Sequence, residues 1–129
     1  MQTQRILFAQ FWAAFVLATL TQIALANFLY WRLWWFDIPM HLLGGLWAGF
    51  FGAWLLGKAE LHITIVRCAI VALLIGIGWE IFEYVEDITY PLFMSYQADT
   101  IKDLIMDTIG GGIAALAALA LKKSASDKN

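Results

Sequence analysis

Apolar residues run almost unbroken along this chain, and the breaks between runs are short and either polar or aromatic. The runs predict four helices, over roughly 6–29, 38–57, 63–85 and 101–121. Each holds about 20 residues or slightly more, enough at ~1.5 Å per residue to cross a hydrocarbon layer of ~30 Å. Between the first two lies YWRLWWF (30–36), an aromatic cluster of the kind that anchors helices at the headgroup level. Between the last two lies DITYPLFMSYQA (87–98), where Pro91 argues against continuous helix and the aromatics predict a loop on the membrane surface. The tail KKSASDKN (122–129) is polar and predicts a frayed end. The first run has a rival reading: Arg5, an apolar stretch and Ala24–Leu25–Ala26 before Asn27 also resemble a signal peptide with a small-residue cleavage site. Gln10 and Thr19 interrupt that stretch, and its full length suits a span better.

Composition turns four candidate spans into a class. Of the 129 residues, 62% are hydrophobic and 14% charged. Soluble domains average about 45–50% apolar and about 25% charged, so this chain lacks the polar residues to cover a core in water. The expectation is an all-α polytopic membrane protein, one domain over residues 1–129, built as a bundle of four transmembrane helices. The single cysteine, Cys68, excludes an intrachain disulfide and a cysteine-based zinc site. No basic patch is present and the pI is about 5.5, which gives nucleic-acid binding no support.

Charge placement orients the bundle. With four spans, Arg5, Lys58, Arg67, Lys122, Lys123 and Lys128 share one side, while Arg32 and Lys102 fall on the other. The basic side is expected to face the cytoplasm, with both termini inside. Of the acids only Glu60 and Asp127 lie on that side. Asp37, Glu80, Glu83, Glu86, Asp87, Asp99, Asp103 and Asp107 lie on the outer side or in the outer half of a span.

Helical spacing gathers these acids onto faces. Asp37 and His41 are four apart, with Gly44 and Gly45 following on the same face. Asp99, Asp103 and Asp107 recur every four residues and continue into Gly110 and Gly111. Glu80, Glu83 and Asp87 share a face with Gly76 one turn deeper. Glycine lets membrane helices approach closely, so Gly44, Gly45, Gly76, Gly110 and Gly111 predict that these faces pack on one another rather than on lipid. Antiparallel neighbours then bring the ionisable groups to one level, as an outward-facing acidic pocket.

Structural explanations compete at several positions. Asp37 before Pro39 suits a helix cap, Thr100 with Asp103 resembles a capping box, and Asp99 is an alternative cap. Glu86 and Asp87 read as a solvated rim, and Trp31, Trp34 and Trp35 as membrane-belt residues. Capping does not explain Glu80 and Glu83, which sit where the helix dipole disfavours anions, nor Asp107, two turns inside its span. An acid at the bilayer centre costs ~2.5–3.5 kcal/mol, and such residues are functional candidates by default. The cations available to them are His41, Lys102 and Arg32; Lys102, next to Asp103, is not expected to share its face. Protons or a bound cation must therefore neutralise part of the set. Oxygen ligands with one imidazole suit magnesium, manganese, calcium or zinc, and the candidate metal ligands are Asp37, His41, Glu80, Glu83, Asp103 and Asp107. The Glu-x-x-His spacing of di-iron bundles is absent; residues 80–83 read Glu-x-x-Glu instead.

Asp-x-x-x-His at 37–41, Trp-Glu-x-x-Glu at 79–83 and Asp-Thr-x-x-Asp-x-x-x-Asp-x-x-Gly at 99–110 resemble the VanZ-like and YjdF-like small inner-membrane proteins of bacteria. The resemblance covers spans two to four and implies a bacterial cytoplasmic membrane location, with little chemistry attached.

Three functions fit these residues. The first is a metal-dependent hydrolase or transferase acting on a lipid or lipid-linked phosphate, with Glu80, Glu83 and Asp107 as catalytic carboxylates and residues 87–98 as a lid. The second is a proton- or cation-coupled transport component; four spans are few for that task and call for a homo-oligomer, and the apolar inner halves of spans two to four oppose a continuous path. The third is a non-catalytic module whose polar network fixes helix packing. No Ser/His/Asp or Cys/His nucleophilic set and no phosphate-cradling glycine loop are present.

Overall fold

Helix α1 (Gln2–Ala26) ends where the chain turns left-handed at Phe28 (φ 56°), with the Asn27 side-chain amide donating back to Ile23 O at 2.8 Å. The computed structural model describes residues 2–88 and 94–126. A single turn, α2 (Leu29–Arg32), follows where the sequence predicted only an aromatic connection, so the first span closes at 26 rather than 29. Helix α3 (Asp37–Lys58) carries Pro39 in its first turn, where the missing N–H costs nothing, and Glu60 (φ 57°) turns the chain after it. Helix α4 (Ile65–Val85) is capped by Thr64, whose hydroxyl accepts from the Arg67 N–H at 3.2 Å.

Helix α5 (Tyr96–Ser126) departs most from expectation. It begins at 96 rather than 101 because Ser95 Oγ accepts from the Ala98 N–H at 3.3 Å and starts the helix there. Asp99, Thr100 and Asp103 are therefore inside the helix, and neither the capping box nor the Asp99 cap forms. The tail expected to fray from 122 is helical through Ser126, so Lys122 and Lys123 extend the helix. The surface loop predicted to reach 98 is correspondingly shorter; its centre, 89–93 with Pro91, lies outside the described residues, and so does that part of the expected lid.

Helix α3 is the central element, packed most extensively on α5 and also on α4 and α1; α4 packs on α5 as well. The tightest seams are built from residues without bulk. A Cβ at Gly45 would run into the backbone of Asp107, and one at Gly110 into the carbonyl of Leu42. A Cβ at Gly111 would lie 2.5 Å from that of Ala72, and one at Gly49 would lie 2.7 Å from the Gly111 Cα. Close backbone approach of this kind is how membrane helices gain contact where lipid offers no hydrophobic drive. In the half of the bundle away from the acids, Ile6, Ala13, Phe50, Ala53, Cys68, Ala114, Ala115 and Ala118 form an apolar core.

The exterior is apolar in turn: Phe8, Phe11 and Phe15 on α1, Val66 and Leu74 on α4, and Ile101 and Leu116 on α5 are all exposed. In water such a surface would drive aggregation; in a bilayer it is the solvent-matching face. Four of these helices, α1, α3, α4 and α5, are long and apolar enough to cross a membrane.

Candidate functional site

The start of α3, the end of α4 and the start of α5 meet at one end of the bundle, and they meet through ionisable side chains. His41, buried on α3, holds the centre. Its Nε2 lies 3.5 Å from Asp37 Oδ1, one turn back on the same helix, and 3.8 Å from Asp103 Oδ2 on α5. Its Nδ1 faces Asp107 Oδ2, one turn deeper on α5, at 3.4 Å. The i, i+4 spacing read from the sequence thus becomes a cross-helix constellation, with α5 supplying two carboxylates to one imidazole. Asp37 serves this cluster and caps nothing: no side-chain cap bond forms at the start of α3.

Lys102 is the second centre of charge. Its Nζ sits 2.7 Å from Asp99 Oδ1, 3.0 Å from Asp37 Oδ2 and 3.1 Å from Asp103 Oδ1. Sequence spacing places Lys102 off the face of Asp103, yet the ammonium reaches it, because a four-carbon stem can fold back across the helix surface. The contact to Asp103 Oδ1 is electrostatic only, since that buried oxygen receives no hydrogen bond. Lys102 ties α5 to α3 and neutralises part of an acid excess that would otherwise repel.

Asp107 fits at this depth because glycines surround it. Its Oδ1 lies 3.6 Å from where a Cβ on Gly44 would stand, and its Oδ2 occupies the space that a Cβ on Gly76 would need. Gly45 meets its backbone. The glycines predicted to let helices close thus also form the socket of a carboxylate.

The α4 acids stand apart from this group. Glu80 is buried and accepts from the Thr100 hydroxyl on α5 at 2.8 Å, while its other oxygen has no hydrogen-bond partner. Glu83 accepts from Trp79 Nε1 of its own helix at 2.8 Å. Asp87 does not share their face, because α4 stops at Val85 and Asp87 takes a left-handed backbone (φ 53°) beyond it. Glu86 and Asp87 are exposed, as a solvated rim should be.

A cavity of about 620 Å³ opens from this cluster into the bundle. Asp37, His41, Asp99, Lys102, Asp103, Asp107 and Glu83 line its polar end. Tyr30, Trp31 and Trp34 border it from α2 and the turn that follows, and Leu17, Thr21, Leu25, Trp47 and Ile75 make its apolar walls. Burial pushes the Tyr30 hydroxyl above its ordinary pKa, so it is present as the neutral phenol at physiological pH. Sequence reasoning left α1 out of the site. Leu17, Thr21 and Leu25 do recur at helical spacing, which is the signal that a polar Thr on an otherwise apolar run faces inward.

The donor set can be tested against metal geometry. Asp37, His41 and Asp103 each offer an atom within 4.8 Å of the others. A magnesium or manganese ion at ~2.1 Å from each ligand requires donors no more than about 4.2 Å apart, so small side-chain rotations close the set. Asp107 faces Nδ1, the position from which a carboxylate would orient the ring if Nε2 held a metal. Among the six sequence candidates, the structure brings Asp37, His41, Asp103 and Asp107 together, and leaves Glu80 on Thr100 and Glu83 on the cavity wall.

Residues 2–124 match the family described as "Predicted membrane protein (DUF2238)", and the chain belongs to that family. No curated protein and no solved structure matches it.

Proposed function

From this membership in a membrane-protein family and from the cluster at the end of the bundle, we propose a metal-dependent hydrolase or transferase for lipid-linked phosphates. In this reading Asp37, His41 and Asp103 hold a divalent cation, magnesium, manganese, calcium or zinc, and the cavity beside it takes the substrate. The observation that carries the reading is the imidazole flanked by carboxylates at both nitrogens. A neutral imidazole donates from one nitrogen only, so carboxylates at both nitrogens call for a second proton or a metal on the ring. Asp107 orients the ring from Nδ1 and leaves Nε2 for the cation. A cation held by these residues would supply Lewis acidity, for activating water or polarising a phosphoryl oxygen. Glu83 on the cavity wall is then the carboxylate available for proton transfer, and Glu80 supports the wall from behind.

The excess of Lys and Arg at the other end of the bundle supports cytoplasmic termini, with the cavity on the opposite side of the membrane. The family match supports a membrane protein and no particular membrane; the bacterial cytoplasmic membrane rests on the motif resemblance read from the sequence alone.

One observation favours a second reading. Lys102 already bridges three carboxylates across α3 and α5, which a purely structural polar network would also do. A transport component acting as a homo-oligomer has less support, because the apolar core blocks the half of the bundle beyond the cluster. Metal analysis of protein purified in mild detergent without chelators separates the first two. The expected result is a stoichiometric divalent cation in the wild type and none in His41→Ala. A folded wild type that neither retains nor takes up such an ion refutes the metal reading and leaves the structural network.

A further inference from the structure

The cavity has two long walls that do not close on each other. On one side stand Leu17, Thr21 and Leu25 of α1, and on the other Ile75 and Trp79 of α4. Helix α1 packs chiefly on α3, with a minor contact to α5, and forms no substantial interface with α4 among the described residues. Helix α4 packs on α3 and α5. The cavity therefore occupies a wedge between α1 and α4, backed by α3 and α5, and among the described residues no substantial helix contact closes its edge between α1 and α4.

The wedge is graded along its length. Its deeper walls are mostly apolar, and its end beside α2 carries the carboxylates, His41 and Lys102. Aromatic side chains from α2 and the turn beyond it stand at that end, at the level where headgroups lie. A water-soluble substrate has no use for a flank of Leu and Ile facing lipid. An amphiphile already lying in the leaflet matches both parts: its chain exchanges bilayer for Leu17, Leu25 and Ile75 at little cost, and its head reaches the polar end without leaving its normal depth.

We infer that the wedge between α1 and α4 is a lateral portal through which a long-chain lipid phosphate slides sideways from the bilayer, head to Asp37 and His41 and chain along α1. The head-group half of this inference rests on the cation reading above, because the polar end is acid-rich and a phosphate needs a divalent cation to bind there. The portal half rests on the wall geometry alone.

Hexadecyl phosphate with Mn²⁺, added to the full chain in detergent micelles and followed by native mass spectrometry, tests both halves. The wild type is expected to retain one alkyl phosphate. Thr21→Trp and Ile75→Trp, which fill the wedge from either wall, are expected to weaken retention at least about tenfold. Leu74→Trp, on the exposed face of α4, is expected to leave it unchanged. Equal retention in all four proteins, or none in the wild type, overturns the portal. Retention by the wild type that survives EDTA, together with loss in both wedge variants, keeps the portal and overturns the cation-held phosphate. Mn²⁺ bound without alkyl phosphate keeps the metal site and overturns the portal. Circular dichroism of Thr21→Trp and Ile75→Trp separates a filled wedge from an unfolded one.

Discussion

Asp107 shows how one buried carboxylate becomes affordable in a membrane helix. It sits against His41 Nδ1 in a socket made by Gly44, Gly45 and Gly76, so charge, ring orientation and backbone approach depend on each other. Asp107→Asn keeps the shape but removes the negative charge behind the imidazole. In a Mn²⁺ titration it is expected to weaken affinity by about 10–100-fold, the usual cost of losing such an orienting carboxylate, while the far-ultraviolet spectrum stays that of the wild type. Unchanged affinity would mean that Asp107 does not orient a metal-binding His41. Lys102→Met asks a different question of the same cluster. It leaves Asp37, Asp99 and Asp103 without their tethered cation, and Tm is expected to fall in metal-free buffer. Adding Mn²⁺ should then raise Tm more than in the wild type, because the ion no longer competes with the ammonium for Asp37 and Asp103; binding at 100 times Kd contributes ~2.7 kcal/mol. A Tm indifferent to Mn²⁺ in both proteins assigns the network a structural role.

Among elements, the α3–α5 seam is where sequence and packing agree most closely. Gly45 and Gly110 were expected at a helix contact, and each lies where a Cβ would strike the opposite backbone. Backbone cannot move aside as a flexible side chain can, so Gly45→Ala or Gly110→Ala is expected to lower stability by about 1–3 kcal/mol. Gly78, with nothing within 4 Å of a Cβ, is the internal contrast: Gly78→Ala should be neutral or slightly stabilising. Thermal unfolding in one detergent ranks the three. A Gly45→Ala protein as stable as Gly78→Ala would show that the helices do not meet at this seam. Element ends were less legible. Ser95 outcompetes Asp99 and Thr100 as the start of α5, and the choice turns on local backbone geometry that hydropathy does not encode.

At the scale of the molecule, the bundle is polar at one end and sealed by small apolar residues in the other half. Among the described lysines and arginines, Arg5, Lys58, Arg67, Lys122 and Lys123 belong to the helix ends away from the cluster, against Arg32 and Lys102 on its side. That asymmetry predicts cytoplasmic termini. A C-terminal green fluorescent protein fusion is expected to be bright, and the corresponding alkaline phosphatase fusion inactive, in a bacterial host. The reverse pair of results would invert the membrane orientation and turn the cavity toward the cytoplasm.

The four spans, the all-helical class and the glycine-backed stripes of acid followed from the sequence, because hydropathy and the helical repeat are local properties that a chain carries without folding. So did the nearness of Asp37, His41, Asp103 and Asp107, since antiparallel helices of similar length bring like depths together; the sequence grouped Glu80 and Glu83 with them, and these stand apart. Pairings did not follow. That Lys102 reaches three carboxylates, that Glu80 turns to Thr100, and that α1 lends a wall to the cavity while leaving its edge against α4 unpacked all depend on how helices rotate and tilt against one another. Those angles are fixed by the contacts of many small residues at once, and only the folded bundle decides them.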